Sequence, residues 1–155
     1  MTLDFPNLEA TEAFGRALGA ALTAGSVVGL VGEMGAGKTH LTRAICEGLG
    51  IRNPRVVTSP TFVLIQEYEG RLPIFHFDVY RLRSPREFAE LGAAEYLDGH
   101  GVCLIEWADR VSEFLPADRL TIELRHAGET ARRATVVAGG PRHADLLASA
   151  SFSSS

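Results

Sequence analysis

The chain carries only two cysteines, Cys46 and Cys103. Each falls in an apolar pattern and reads as a small buried hydrophobe, which excludes a disulfide scaffold or a paired redox site. Five histidines are scattered without zinc-ligand spacing. No apolar run approaches the length of a membrane span, and the N-terminus lacks the charged start and long apolar core of a secretory leader. A cytoplasmic location without membrane contact is expected. No basic run stands out either: the formal net charge is −4, which argues against a large nucleic-acid footprint on this chain alone. Two small arginine groups remain, Arg81, Arg83 and Arg86 and then Arg132 and Arg133. They form either a local basic patch or a solvated face partly paired to glutamates. Internal repeats are lacking, as is any asparagine-lysine-x-aspartate element of the kind that selects guanine.

What is present is ordinary globular material with one pronounced motif. Of 155 residues, 46% are hydrophobic and 22% charged, enough for one domain with a real core. We place that domain at residues 1–148 and read the serine-rich end, 149–155, as a disordered tail. The motif is Gly32-Glu33-Met34-Gly35-Ala36-Gly37-Lys38-Thr39, which fits the P-loop pattern G-x-x-x-x-G-K-[ST] at every fixed position. The apolar run Val27–Val31 before it reads as a buried strand. Leu41, Ala44, Ile45 and Leu49 after it mark one face of a helix. A strand, a glycine-rich loop and a helix N-terminus make an anion site, because backbone N–H groups and the helix dipole both face the loop. Lys38 would reach the β- and γ-phosphates, and the Thr39 hydroxyl would ligate Mg²⁺. With no guanine-selecting element, ATP is the expected nucleotide.

The remaining pattern predicts a helix over 8–24 with Asn7 as its cap, and a short strand at Val56–Thr58. A hairpin of Phe62–Tyr68 and Leu72–Phe77 follows, then one helix from the Ser84-Pro85-Arg86-Glu87 start to about Leu97. Gly101–Ile105 is an apolar strand, Ala108–Leu115 a short helix, and Leu120–Arg125 with Ala134–Ala138 a closing hairpin. Hairpins join antiparallel neighbours, so the central sheet is mixed. The expected class is α/β, a P-loop NTPase-like three-layer architecture with a mixed parallel/antiparallel sheet flanked by helices.

A P-loop needs an acidic partner at the end of a neighbouring strand. Glu106 follows Val102-Cys103-Leu104-Ile105, and Asp78 follows Ile74-Phe75-His76-Phe77. Glu106 is favoured as the metal-supporting acid, because its strand is the more uniformly apolar and suits a sheet centre. In His76-Phe77-Asp78-Val79-Tyr80-Arg81, strand alternation puts His76 and Asp78 on one face. Asp78 either orients or deprotonates water, holds a metal-bound water, or belongs with Arg81 to a structural ion-pair cluster. Arg81 in the functional reading stabilises charge on the transferred phosphoryl group. Ser59-Pro60-Thr61 is either a plain turn or a segment that contacts the γ-phosphate. Trp107 is a packing residue or an interface residue.

Taken together and in order, these elements resemble the bacterial TsaE (YjeE) family of tRNA threonylcarbamoyladenosine synthesis. The resemblance runs through Gly32–Thr39, Val57–Leu64, Tyr68-Glu69-Gly70, His76–Leu82, Glu90-Leu91-Gly92, Glu95-Tyr96-Leu97, and Ile105-Glu106-Trp107 with Arg110. It implies a small Mg²⁺-dependent ATPase, weak alone, that serves the TsaB and TsaD proteins and touches tRNA through them. It further implies that Lys38, Asp78 and Glu106 are catalytic, with Thr39 and Glu106 at the metal. Nucleotide contacts would come from Gly32, Glu33, Met34, Gly35, Ala36, Gly37, Lys38, Thr39, Ser59, Thr61, Arg81 and Trp107. Glu33, where aspartate is common, and Ala108-Asp109, where proline-glutamate is common, are mild departures. Two other classes share the motif: a nucleotide-dependent binding module without essential hydrolysis, and a small-molecule kinase.

Overall fold

A seven-stranded mixed sheet forms the centre of the computed structural model, which describes residues 1–58, 65–150 and 152. The strands are β1 (Thr2–Phe5), β2 (Val27–Val31), β3 (Ile65–Glu69), β4 (Pro73–Asp78), β5 (Val102–Glu106), β6 (Leu120–His126) and β7 (Arg132–Ala138). Their spatial order is β1-β7-β6-β2-β5-β4-β3. The inner four strands run parallel, β2 pairing with both β5 and β6 and β5 with β4. Antiparallel partners close each side: β3 on β4, β7 on β6, and β1 on β7. The hairpins read from sequence thus make the sheet mixed, and β2 and β5, its most apolar runs, lie together at the middle.

Helices α1 (Leu8–Ala21), α2 (Lys38–Gly48) and α5 (Pro141–Ser149) pack one face. The short helices α3 (Arg86–Glu90) and α4 (Ala93–Leu97) and a 3-10 segment, Ala108–Phe114, pack the other. Alternation sorts the strand residues between two cores. Val28, Leu30, Leu104 and Ile122 face α1 and α2, whereas Val27, Phe77, Cys103 and Ile105 face α3 and the 3-10 segment.

Several elements depart from the sequence expectation. The first helix ends at Ala21, not 24, because Arg71 reaches across and donates to the carbonyls of Gly19, Ala20 and Leu22 at 2.7, 3.1 and 2.7 Å. Residues 54–56 form a 3-10 turn in place of a strand start, since Pro54 fixes φ and the Asn53 side chain accepts from Arg55 N at 3.1 Å. The long helix from Ser84 is two helices. Gly92, at φ 78°, takes a left-handed conformation that ends one turn and begins the next, and Ser84 supplies a backbone carbonyl to Glu87 N, not a side-chain cap. The first three residues of the expected strand 62–68, and Ser59–Thr61, lie outside the described residues. β1 and α5 had no sequence reading. α5 is seated by His143, whose Nε2 accepts from Val27 N at 3.1 Å and whose Nδ1 donates to Asp118 at 2.9 Å. Of the expected tail, Ser149 ends α5 and the Phe152 ring lies 5.0 Å from that of Phe14.

Candidate functional site

The loop 32–39 leaves the C-terminal end of β2 and enters α2 at Lys38. Its shape is set by backbone signs. Gly32, Gly35 and Gly37 have φ of 150°, 80° and 100°, values that L-residues with a β-carbon rarely adopt. A β-carbon on Gly35 would meet nothing within 4 Å, so glycine is required there by its backbone conformation and not by a close approach. Lys38 folds back and donates to the carbonyls of Gly32 at 2.6 Å and Glu33 at 2.8 Å. Arg132 on β7 donates to Ala36 O at 2.9 Å and to three carbonyls of the β6–β7 turn. That contact holds the buried Ala36 end of the loop against the hairpin.

Across from the loop stand two acids. Asp78 ends β4 and Glu106 ends β5, and the two are register partners on adjacent strands. Glu106 is also in register with Leu30 of β2, one residue short of the loop. The Thr39 hydroxyl donates to Glu106 Oε1 at 2.8 Å, and His76 Nε2 lies 2.6 Å from Glu106 Oε2. Glu106 is 2% exposed, so both partners are needed to offset the loss of water around a carboxylate. Asp78 accepts from Tyr80 N at 3.0 Å, an Asx turn that starts the loop after β4.

Trp107 follows Glu106 with φ 64° and ψ 36°. It is the one non-glycine residue at positive φ among the described residues, a conformation that costs about 1–2 kcal/mol. The turn is held by Trp107 N donating to Leu30 O at 2.9 Å and by Arg110 N donating to Trp107 O at 3.0 Å. It puts the indole 3.9 Å from the Lys38 ammonium and 4.7 Å from the Tyr80 ring. Burial pushes the Lys38 amine below its ordinary range, and the charges of Glu106, Asp109 and Asp78 partly counter that.

These groups surround a cleft of about 370 Å³, within the size range of small-ligand sites. Met34, Gly35, Gly37, Lys38 and Thr39 line one wall, and Asp78, Arg81, Glu106 and Trp107 line the other. The structure therefore brings together all of the singled-out residues except five. Gly32, Glu33 and Ala36 act through their carbonyls behind the cleft, and Ser59 and Thr61 lie outside the described residues. Sequence reasoning missed Tyr80 and His40, which also line the cleft, and it read Arg132 as part of a basic patch or solvated face, not as a support of the loop. His40 faces Glu12 of α1 at 3.2 Å. Tyr80 could have been found as the neighbour of Arg81 in a motif already marked, whereas nothing local marks the contact of Arg132 with Ala36. Of the two arginine groups, Arg81, Arg83 and Arg86 are exposed, and Arg133 pairs with Asp4 at 2.7 Å.

The donor set fits a small hard cation beside phosphate. A threonine hydroxyl and one carboxylate are the usual protein share for Mg²⁺, which completes its shell with water and phosphate oxygens. Backbone N–H groups at the start of α2 and a lysine held on two loop carbonyls fit the phosphates.

Comparison with known proteins places the chain in a family. The family model described as "Threonylcarbamoyl adenosine biosynthesis protein TsaE" matches residues 5–134. A Bacillus subtilis protein named tRNA threonylcarbamoyladenosine biosynthesis protein TsaE is 46% identical over 138 residues, 88% of this chain and 85% of its own length. Its namesake in Treponema pallidum is 45% identical over 126 residues, 81% and 92% of the two chains. The crystal structure of Bacillus subtilis YdiB superposes with a TM-score of 0.79 at 38% identity, covering 96% of this chain and 91% of that one.

Proposed function

This chain belongs to the TsaE family, and from that premise we propose that it binds ATP with Mg²⁺ in the cleft and hydrolyses it. The work done would support a TsaB–TsaD complex forming N6-threonylcarbamoyladenosine beside the anticodon of tRNA. The observation that carries the reading is the closed arrangement of Lys38 on the loop carbonyls with Thr39 bonded to Glu106. It is what a P-loop enzyme needs in place before phosphate chemistry: a cation at the loop and a hydroxyl–carboxylate pair beside it.

In this reading Lys38 and the backbone N–H groups where the loop enters α2 grip the phosphates, and Thr39 and Glu106 hold the metal. Bound there, Mg²⁺ would neutralise charge on the β- and γ-phosphate oxygens. Asp78 stands beside Glu106 in register and is assigned to orienting water. Arg81, on the rim, is assigned to charge at the γ-phosphate, with Ser59 and Thr61 from the segment before β3. Trp107, with its ring 3.9 Å from the Lys38 ammonium, shields that group from solvent.

The test is phosphate release from ATP and Mg²⁺, by the protein alone and with purified TsaB–TsaD. Weak activity alone, strong stimulation by the partners and loss of both in Lys38→Ala are expected. Asp78→Ala should keep nucleotide binding and lose turnover about 100-fold or more, the low end for a positioned acid–base group. No stimulation by active partners would count against an ATPase subunit. A nonhydrolysable analogue that sustains repeated modification would favour the nucleotide-dependent binding module, and a stoichiometric phosphorylated acceptor would favour the kinase.

A further inference from the structure

His76 has no part in the reading above, yet it is the polar side chain most deeply set in the sheet. It is fully buried in the middle of β4, opposite Leu104 of β5 in register and two residues from Ile74, both apolar and fully buried. An aliphatic residue would suit that place. Instead each ring nitrogen has a polar neighbour. Nε2 lies 2.6 Å from Glu106 Oε2, and a carboxylate only accepts, so Nε2 carries the hydrogen. Nδ1 lies 3.3 Å from the Tyr68 hydroxyl of β3, which in turn lies 2.7 Å from Gln66 Oε1. A chain of side chains thus runs from the edge strand inward: Gln66, Tyr68, His76, Glu106, Thr39.

The consequence falls on Glu106. Its Oε1 is met by Thr39 and its Oε2 by His76. With one partner fixed for each oxygen, the carboxylate has a single orientation. Removing His76 would leave a buried acceptor unmet, and three free side-chain torsions would let the carboxylate turn away from Thr39. We propose that His76 is a positioning residue for the metal site: it holds the Glu106 carboxylate in the orientation that, with Thr39, receives Mg²⁺. The proposal rests on the reading of Glu106 as the metal-supporting acid. A histidine present only to satisfy a buried charge would affect stability and leave metal affinity alone.

The two are separated by a binding measurement on the full chain. Trp107 is the sole tryptophan and sits beside Lys38, so its fluorescence reports the cleft without turnover. Mg²⁺ is titrated into protein saturated with ADP, and ADP is titrated separately in EDTA. His76→Leu should raise the Mg²⁺ half-saturation about 10-fold or more, the size expected when an outer-shell partner is lost, and leave ADP affinity in EDTA within about twofold. His76→Gln, whose side-chain amide can reach the same oxygen, should return to within about threefold of wild type, and the shorter His76→Asn should not. A folded His76→Leu protein with wild-type half-saturation overturns the proposal. If that variant does not fold, the pair decides: equal half-saturation for Gln and Asn overturns it, and a Gln-only rescue supports it. Glu106→Gln tests the reading beneath. If wild type responds to Mg²⁺ and Glu106→Gln matches it, Glu106 is not the metal acid and both statements fall. A shift in Glu106→Gln with none in His76→Leu removes His76 alone.

Discussion

Lys38 is the only lysine of the chain, and it is 5% exposed. Burial at that level is rare for lysine without a partner, and here two loop carbonyls, the Trp107 ring and three nearby carboxylates supply it. Because burial lowers the amine below the ordinary 10.5, the unfolded chain binds more protons than the native one between the lowered value and 10.5. Folding is therefore opposed by Lys38 at neutral pH, and the opposition is relieved as pH rises through that window. Reductive ¹³C-methylation would label this one side-chain amine. Its NMR titration midpoint is expected below 10.5, and lower still in Glu106→Gln, which removes the largest upward influence. A midpoint at or above 10.5 would mean that the amine is solvated. At this scale the sequence was highly informative. Lys38, Thr39 and Glu106 were picked out by the P-loop spacing and by an acid closing an apolar strand. Arg132 was read only as part of a basic patch or solvated face, because its contact with Ala36 O spans 96 positions, and no local pattern records which loop a distant guanidinium will meet.

Among the elements, α1 and α2 approach closely enough to exclude side chains at their crossing. A β-carbon on Gly19 would lie 2.1 Å from Ile45 O, and one on Gly48 would lie 2.2 Å from Arg16 O. Gly19→Ala sets two effects against each other. Helix propensity favours alanine by about 1 kcal/mol, whereas forcing two backbones apart in a packed core costs about 1–3 kcal/mol or more. The clash wins, and urea unfolding should show net destabilisation; a stabilised variant would mean that the helices can separate freely. Periodicity alone marked both helices, since their apolar faces repeat at helical spacing. It misjudged three ends. Arg71 from the β3–β4 turn cut α1 short, Gly92 broke one expected helix into α3 and α4, and Pro54 replaced a strand start with a 3-10 turn. β1 escaped notice because a four-residue edge strand is defined by pairing with β7. α5 escaped notice because its seat is the buried His143, which links Asp118 to Val27. Partial desolvation raises the Asp118 carboxyl, but hydrogen bonds from His143 and from the N–H groups of Arg142 and His143 outweigh this and hold it below its ordinary value.

For the molecule as a whole, the two cores on either side of the sheet each hold a buried thiol, Cys46 in one and Cys103 in the other. Burial pushes both from the ordinary 9.0 to about 12. The folded values lie above the unfolded ones, so the native state keeps protons that the unfolded chain loses. The associated stability is complete below about 9 and is lost as pH rises from there toward about 12. Urea midpoints should fall across that range, less steeply in Cys46→Ala. Ellman's reagent should leave the native protein unmodified near neutral pH and modify both thiols after unfolding; rapid native reaction would refute the buried placement.

The sequence by itself determined the chemistry available at the site: a lysine and a hydroxyl at a helix start, and acids at two strand ends, all specified by short-range spacing. It also determined the α/β class, because hydrophobic period is a local property. Only the tertiary structure decided which strand lies next to which. That placed Glu106 within hydrogen-bond reach of Thr39, gave Glu106 the buried His76 as its second partner, and brought the indole of Trp107 over Lys38. These contacts join residues tens of positions apart, and their geometry follows from sheet order and register, which no window of sequence contains.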